Sequence, residues 1–160
     1  MLDILRMLEQ DGRLTADQLA ERSGRPVEEV RRIVAQAEQS GIIRKYKAVI
    51  DWERVEGNED TYAFIEVKVT PQRNFGFDTI AERIMRFPEV QSLYLLSGSY
   101  DLHVVVKGRD LRDIARFVTS KLAALDSVLS TTTHFVLRCY KVDGDILEDG
   151  EAPERLPVTP

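Results

Sequence analysis

The chain has 160 residues, 43% of them hydrophobic and 31% charged, with a net charge of −5 and one cysteine; that is enough apolar material for one packed domain or two small ones. No apolar run nears the roughly 18–20 residues that span a bilayer, and the start opens into an acidic amphipathic helix rather than a signal peptide. Cys139 has no cysteine to pair with and reads as a small core residue of a strand, so the expectation is a globular cytoplasmic protein without a membrane partner.

Charge is unevenly spread. Residues 1–51 carry nine basic and nine acidic side chains and residues 52–141 carry twelve of each, so the whole negative excess lies in residues 142–160. Between Arg25 and Lys47 there are six basic and three acidic residues, a modest positive patch that is also what a solvated helix and hairpin would show.

The first predicted element is a helix from Leu2 to about Gln10, with Ile4, Leu5 and Leu8 turned to a core. Thr15 followed by Gln18 fits a capping box and starts a second helix. That helix buries Leu19 and Ala20, with Leu14 before the cap, and stops at Ser23-Gly24, where glycine tolerates positive φ. Pro26 suits a first helical turn. From there Val30, Ile33, Val34 and Ala37 follow the i, i+3, i+4, i+7 spacing of one buried stripe, opposite Glu28, Glu29, Arg31, Arg32 and Gln36, and Gly41 ends the helix. Two short helices joined by a tight turn, with a third wall behind them, match a helix-turn-helix, which lays its second helix in the DNA major groove. An ordinary three-helix bundle is the alternative that these residues leave open. Residues 42–51 alternate Ile43, Tyr46 and Ala48 or Val49 with charges, suggesting a short strand or hairpin, and residues 52–60 read as a polar linker.

The periodicity switches near Thr61. TYAFIEVKV alternates in period two; Phe77, Ile80, Ala81, Ile84 and Met85 share a helical face; VQSLYLLS and DLHVVVK are strands around Gly98-Ser99-Tyr100. A second helix from Asp110 buries Leu111, Ile114, Val118, Leu122 and Leu125, and VLSTTTHFVLRCYK is the last strand. The order β-α-β-β-α-β is ferredoxin-like, an antiparallel sheet with both helices on one face; the fold class is α+β. The domains are then 1–51, a linker at 52–60, 61–142, and an acidic, proline-containing tail at 143–160 with little to bury, expected to be flexible. On the sheet face away from the helices, Tyr62, Phe64, His103 and Val105 stand with the stems of Glu66 and Lys68. An aromatic and β-branched open face requires cover, and pairing of two identical chains supplies it, so a homodimer is expected.

The ordered set R-L-T-x-x-x-L-A-x-x-x-G, V-x-x-x-V-x-x-A-E-x-x-G-I-I, S-G-S-Y-D-L and V-L-S-T-T-T-H-F-V-L-x-x-Y-K, across residues 1–141, resembles the Lrp/AsnC (feast/famine) family of prokaryotic transcriptional regulators. The resemblance implies a winged-type helix-turn-helix that binds double-stranded DNA and a C-terminal amino-acid-sensing domain. It also implies dimers that assemble into octamers or similar, with effector bound between dimers. Here Pro26, Ile33 and Ala37 depart from the family's usual helix cap, arginine and leucine, and Glu28 and Glu29 lie in the helix's first turn. Val27, Glu28, Arg31 and Arg32 are expected to face DNA, Arg25 to touch phosphate or the groove edge, and Arg44, Lys45 and Lys47 to track the backbone. By the same resemblance Gly98, Ser99, Tyr100, Asp101 and Thr131, Thr132, Thr133 lie near the effector. The turn would offer N–H groups to a carboxylate, and Asp101 a partner for an α-amino group. A plain β-turn with threonines of high β-propensity is the other reading of those residues.

Catalysis lacks candidates. His103 and His134 fall on strands two spacings, roughly 10 Å, apart, too far for one metal unless another chain contributes, and no phosphate loop, cysteine cluster or nucleophile elbow occurs. No cofactor is expected. The alternatives are a sensor or scaffold without DNA binding and, further off, a subunit like the haem-pathway decarboxylases that share this two-domain layout.

Overall fold

The computed structural model describes residues 1–70 and 76–147, and the chain divides into two compact units, Met1–Ile50 and Asp51–Pro160.

The first unit is α1 (Leu2–Gln10), α2 (Ala16–Ser23) and α3 (Val27–Gln39), packed around Ile4, Leu19 and Val30 with Leu8, Leu14, Ile33 and Val34 at the rim. Thr15 accepts from the Gln18 N–H while the Gln18 side chain accepts from the Thr15 N–H, so two backbone donors at the start of α2 are satisfied reciprocally. Gly24 closes α2 at φ +67, a left-handed conformation that a side chain would strain. Pro26 is the cap of α3 rather than part of its first turn. No strand forms in residues 42–50, which corrects the expected hairpin. Ile42, Val49 and Ile50 are exposed and have no facing strand to pair with. Tyr46 holds this segment instead, donating its hydroxyl to Glu38 at 2.9 Å and lying against Gly12, where an added Cβ would stand 3.4 Å from its ring.

The second unit opens with a 3₁₀ turn, Trp52–Arg54, inside the expected linker. β1 (Thr61–Val69), α4 (Asp78–Ile84), β2 (Val90–Leu95), β3 (Leu102–Gly108), α5 (Leu111–Phe117) and β4 (Val128–Phe135) follow. The strands form one antiparallel sheet in the order β2-β3-β1-β4. Ala63, Ile65 and Val67 of β1 and Leu102, Val104 and Val106 of β3 join Ile80, Ile84, Ile114 and Phe117 in a single core, as the period-two pattern requires.

Several details differ from the helical and strand periodicities. Met85 is exposed because α4 ends at Ile84; Phe87 fills that flank, edge-on to Phe117 at 5.6 Å. Leu111, the first residue of α5, is exposed too. After Phe117 the chain widens into a π turn, Val118–Leu122, closed by the Ala123 N–H to the Val118 carbonyl, so the buried Phe117 and Leu122 stand five positions apart rather than four. β4 stops at Phe135, which leaves Cys139 outside the strand, its N–H donating to Glu53 at 3.0 Å. β5 (Lys141–Val142) and β6 (Asp145–Ile146) then make a separate small hairpin across the expected start of the tail. The rest of that tail, residues 148–160, lies outside the described residues.

Candidate functional site

In the helical unit the side chains expected to meet DNA separate into two groups. Arg25 is committed within the protein: its Nε lies 3.1 Å from Asp3 and its Nη1 2.6 Å from Glu29. The hydrogen bond it donates to Glu29, then the one it donates to Asp3, hold its pKa above the ordinary value. It ties α1 to the start of α3, a role given by Asp3, twenty-two positions away, and invisible to local spacing. Val27 is half-buried. Glu28 lies 3.2 Å from Arg31, so the acid in the first turn of α3 offsets one of the two helix arginines while favouring the helix N-terminus. Arg32, Lys45 and Lys47 are exposed, and the Arg44 guanidinium folds over Gly41, where an added Cβ would meet it at 3.3 Å. These exposed cations lie on α3 and on the segment that leaves it, which is what contact with a polyanion backbone needs.

In the second unit, Gly98 and Ser99 are exposed at the turn between β2 and β3. Asp101 faces inward. It accepts from the Val69 N–H at 3.0 Å and from Lys68 Nζ at 3.1 Å, while its backbone bonds Val67 and Leu96. Chiefly that Val69 N–H, with Lys68 and against some burial, draws its pKa below the ordinary value. Each of its oxygens already has one donor, and an α-amino group there would share the carboxylate with them. Tyr100 hydroxyl and Thr132 Oγ1 lie 2.8 Å apart, so the structure joins two of the expected residues. Register separates the other threonines: Thr132 stands opposite Glu66 on the open face, whereas Thr131 and Thr133 pair with the core residues Val67 and Ile65 and share their side of the sheet. Sequence reasoning missed Lys68 as the partner of Asp101; period-two alternation puts it on the open face, but nothing local shows the contact.

His103 pairs in register with Glu66 and His134 with Phe64, on the two strands that flank β1. His134 Nε2 is 3.5 Å from Glu66. Among the described residues no group of three His, Cys, Asp or Glu is placed to hold a metal, and no helix is long and apolar enough to cross a membrane.

The Lrp/AsnC ligand binding domain matches residues 62–146, and a winged helix-turn-helix DNA-binding domain matches residues 1–44. The chain is 49% identical over 158 residues to the HTH-type transcriptional regulator YugG of Bacillus subtilis, covering 99% of this chain and 95% of that one. It is 30% identical over 140 residues to the leucine-responsive regulatory protein of Rhizobium meliloti, covering 88% of each. Among solved structures, a transcriptional regulator of Neisseria meningitidis in complex with L-methionine superposes with a TM-score of 0.70 at 30% identity, covering 88% of this chain and 90% of that one. A capped helix-turn-helix, a βαββαβ sheet and these matches across nearly the whole chain agree: the chain belongs to the Lrp/AsnC family of helix-turn-helix transcriptional regulators.

Proposed function

We propose that this regulator binds double-stranded DNA with α3 and the basic segment behind it, and that an amino acid or related small metabolite bound by the second unit sets its activity. The observation that carries the reading is the pairing, in one chain, of a capped helix-turn-helix whose Arg32 is exposed with a sheet whose helix-free face carries Phe64, Tyr94, His103 and Val105. Arg31 and Arg32 read the groove, Arg44, Lys45 and Lys47 follow phosphates, and Arg25 braces the fold. The open face is covered by a second copy of the chain, and dimers assemble further, as an octamer in the fullest form. Effector enters at the 98–101 turn, where Tyr100 and Thr132 make the polar contact and Asp101 shapes the loop. The working compartment is the cytoplasm, and no catalysis is assigned.

Methionine is the first probe, because the neisserial relative was solved with it. Genomic fragments are selected with the full chain, with and without each of the twenty amino acids, and shifts are measured across salt. Expected are a retained subset of fragments, an affinity that falls steeply with salt, and at least one amino acid that alters it and raises Tm. No retained fragment at low salt would overturn the DNA reading. Retained fragments with no amino-acid response would overturn the effector reading alone.

A further inference from the structure

Glu66 stands in the middle of the sheet face that the helices leave open, with a histidine on either side. His103 of β3 is directly opposite it in register. On β4 Thr132 is directly opposite and His134 is one step along the same face, its Nε2 3.5 Å from Glu66 Oε2. Both partners of that contact reach solvent, Glu66 34% exposed and His134 57%. Phe64 and Tyr94 flank the His103 ring, their centroids 5.4 Å and 6.4 Å from it. Among the described residues the other charges on this face are matched: Lys68, the next outward residue of β1, lies 3.1 Å from Asp101, and Lys107 of β3 pairs with Asp60. Its other titratable groups are the phenols of Tyr62, Tyr94 and Tyr100, the last sharing a hydrogen bond with Thr132, and phenols as a class are neutral at pH 7. With both imidazoles neutral, the face therefore carries one net charge, the Glu66 carboxylate. One proton cancels it, and a second reverses it.

Covering such a face selects among these states. A carboxylate buried alone costs far more than one that is paired and hydrogen-bonded, so a surface that closes over Glu66 favours the form that has taken up one proton. We propose that Glu66, His103 and His134 link protons to the pairing of two copies of this chain: association is tightest when each face holds one proton, and it strengthens as pH falls from about 8 to about 6. This linkage rests on the reading that a second copy covers the open face, and the charge pattern favours that occupant. A twofold axis brings residue i onto j and j onto i. An acid between two imidazoles then meets the other copy's imidazoles while its own imidazoles meet the other acid, whereas a partner of a single sign answers only half of the pattern. A helix-turn-helix dimer engages two half-sites at once, so the same protons tune DNA binding.

The test is fluorescence-detected sedimentation of the full chain, dye-labelled at its N-terminus, at pH 8, 7 and 6 and one ionic strength. A fixed urea concentration brings into range the protomer concentration at which half of the chains are monomers. Expected is a midpoint that falls about tenfold or more from pH 8 to pH 6. Glu66→Gln removes the charge that calls for the proton, so it should flatten the response and associate at pH 8 about as tightly as wild type does at pH 6. The double variant His103→Gln, His134→Gln should also flatten it, but at the weak association of wild type at pH 8; should that double variant fail to fold, Glu66→Gln alone decides. A wild-type midpoint that is constant or rises toward pH 6, or a response that survives in Glu66→Gln, overturns the proposal, as does a chain that is monomeric at every pH. Phe64→Glu separates this result from the reading beneath it. If Phe64→Glu leaves the assembly intact, the interface lies elsewhere and both fail; if it gives monomers while wild type ignores pH, the open face is the interface and the proton linkage alone fails.

Discussion

The carboxylate of Asp101 accepts the backbone N–H of Val69 at 3.0 Å, thirty-two residues away in sequence. That bond, reinforced by Lys68 at 3.1 Å, pins the 98–101 turn to the end of β1.

Asp101→Asn keeps an acceptor oxygen and loses the charge, so Tm should fall. The pH dependence fixes the cause. Because the folded-state pKa of Asp101 is lowered, its contribution is complete above the ordinary carboxylate value and disappears as pH falls through the depressed one. In thermal unfolding between about pH 7 and about pH 3, the wild-type advantage over Asp101→Asn should be constant at first and shrink at the acid end. An advantage undiminished by acid would mean that shape rather than charge is what the substitution removes.

What was legible in the sequence was whatever depends on neighbours along the chain. Thr15 and Gln18 announce a cap three residues apart, Gly24 a stop, and β1 its buried face through Ala63, Ile65 and Val67. What was not legible depends on which elements meet. Arg25 counts as surface charge until α1 brings Asp3 to it, and the contact of Asp101 with Val69 shows only once β1 lies beside the turn. Leu111 and Met85 obey helical spacing, yet they fall at or beyond the ends of helices of seven residues, where the periodic face no longer meets the sheet. The threonine run reads as a unit, and register divides it between two faces.

Arg25 and Lys45 should respond differently in DNA binding. Lys45→Ala should lower affinity for a selected fragment and reduce the slope of log affinity against log salt by about one. Arg25→Ala should leave the slope intact and lower the thermal stability of the helical unit, having removed the brace between Asp3 and Glu29. Fluorescence anisotropy across a salt series, with melting curves on the same samples, checks both. Equal slope losses would return Arg25 to the phosphate contacts.

The turn between α2 and α3 should tolerate change poorly. Gly24→Ala places a side chain at φ +67, which costs about 1–2 kcal/mol. Thr15→Ala removes the capping oxygen at the other end of α2 at a cost of about 1 kcal/mol. Space is not the obstacle at Gly24, since an added Cβ would meet nothing within 4 Å; Gly24→Asn, whose side chain tolerates the left-handed region, should therefore recover part of the loss. Denaturant unfolding followed by helical circular dichroism gives these differences. Equal stability of the Ala and Asn variants would show that backbone conformation is not the cause.

Adjacent residues of β1 separate assembly from folding. Phe64 stands on the open face, 42% exposed, opposite Val105 and His134 and 5.4 Å from the His103 ring; Ile65, the next residue, is fully buried under the helices. If a second chain covers the open face, Phe64→Glu buries an uncompensated carboxylate there beside Glu66 and should give monomers by sedimentation velocity, with secondary structure retained at low temperature. A stable interface buries roughly 1,200–2,000 Å², so one central charge is enough to dissolve it at micromolar concentration. Ile65→Ala has the opposite signature: about 2–5 kcal/mol of stability lost to the cavity, with the sedimenting species unchanged where the protein is still folded. Stability of an assembled chain depends on its concentration, so both variants are compared with wild type at one protomer concentration. A Phe64→Glu chain that sediments as wild type does would move the dimer contact off this sheet face and leave the aromatic residues there without an occupant.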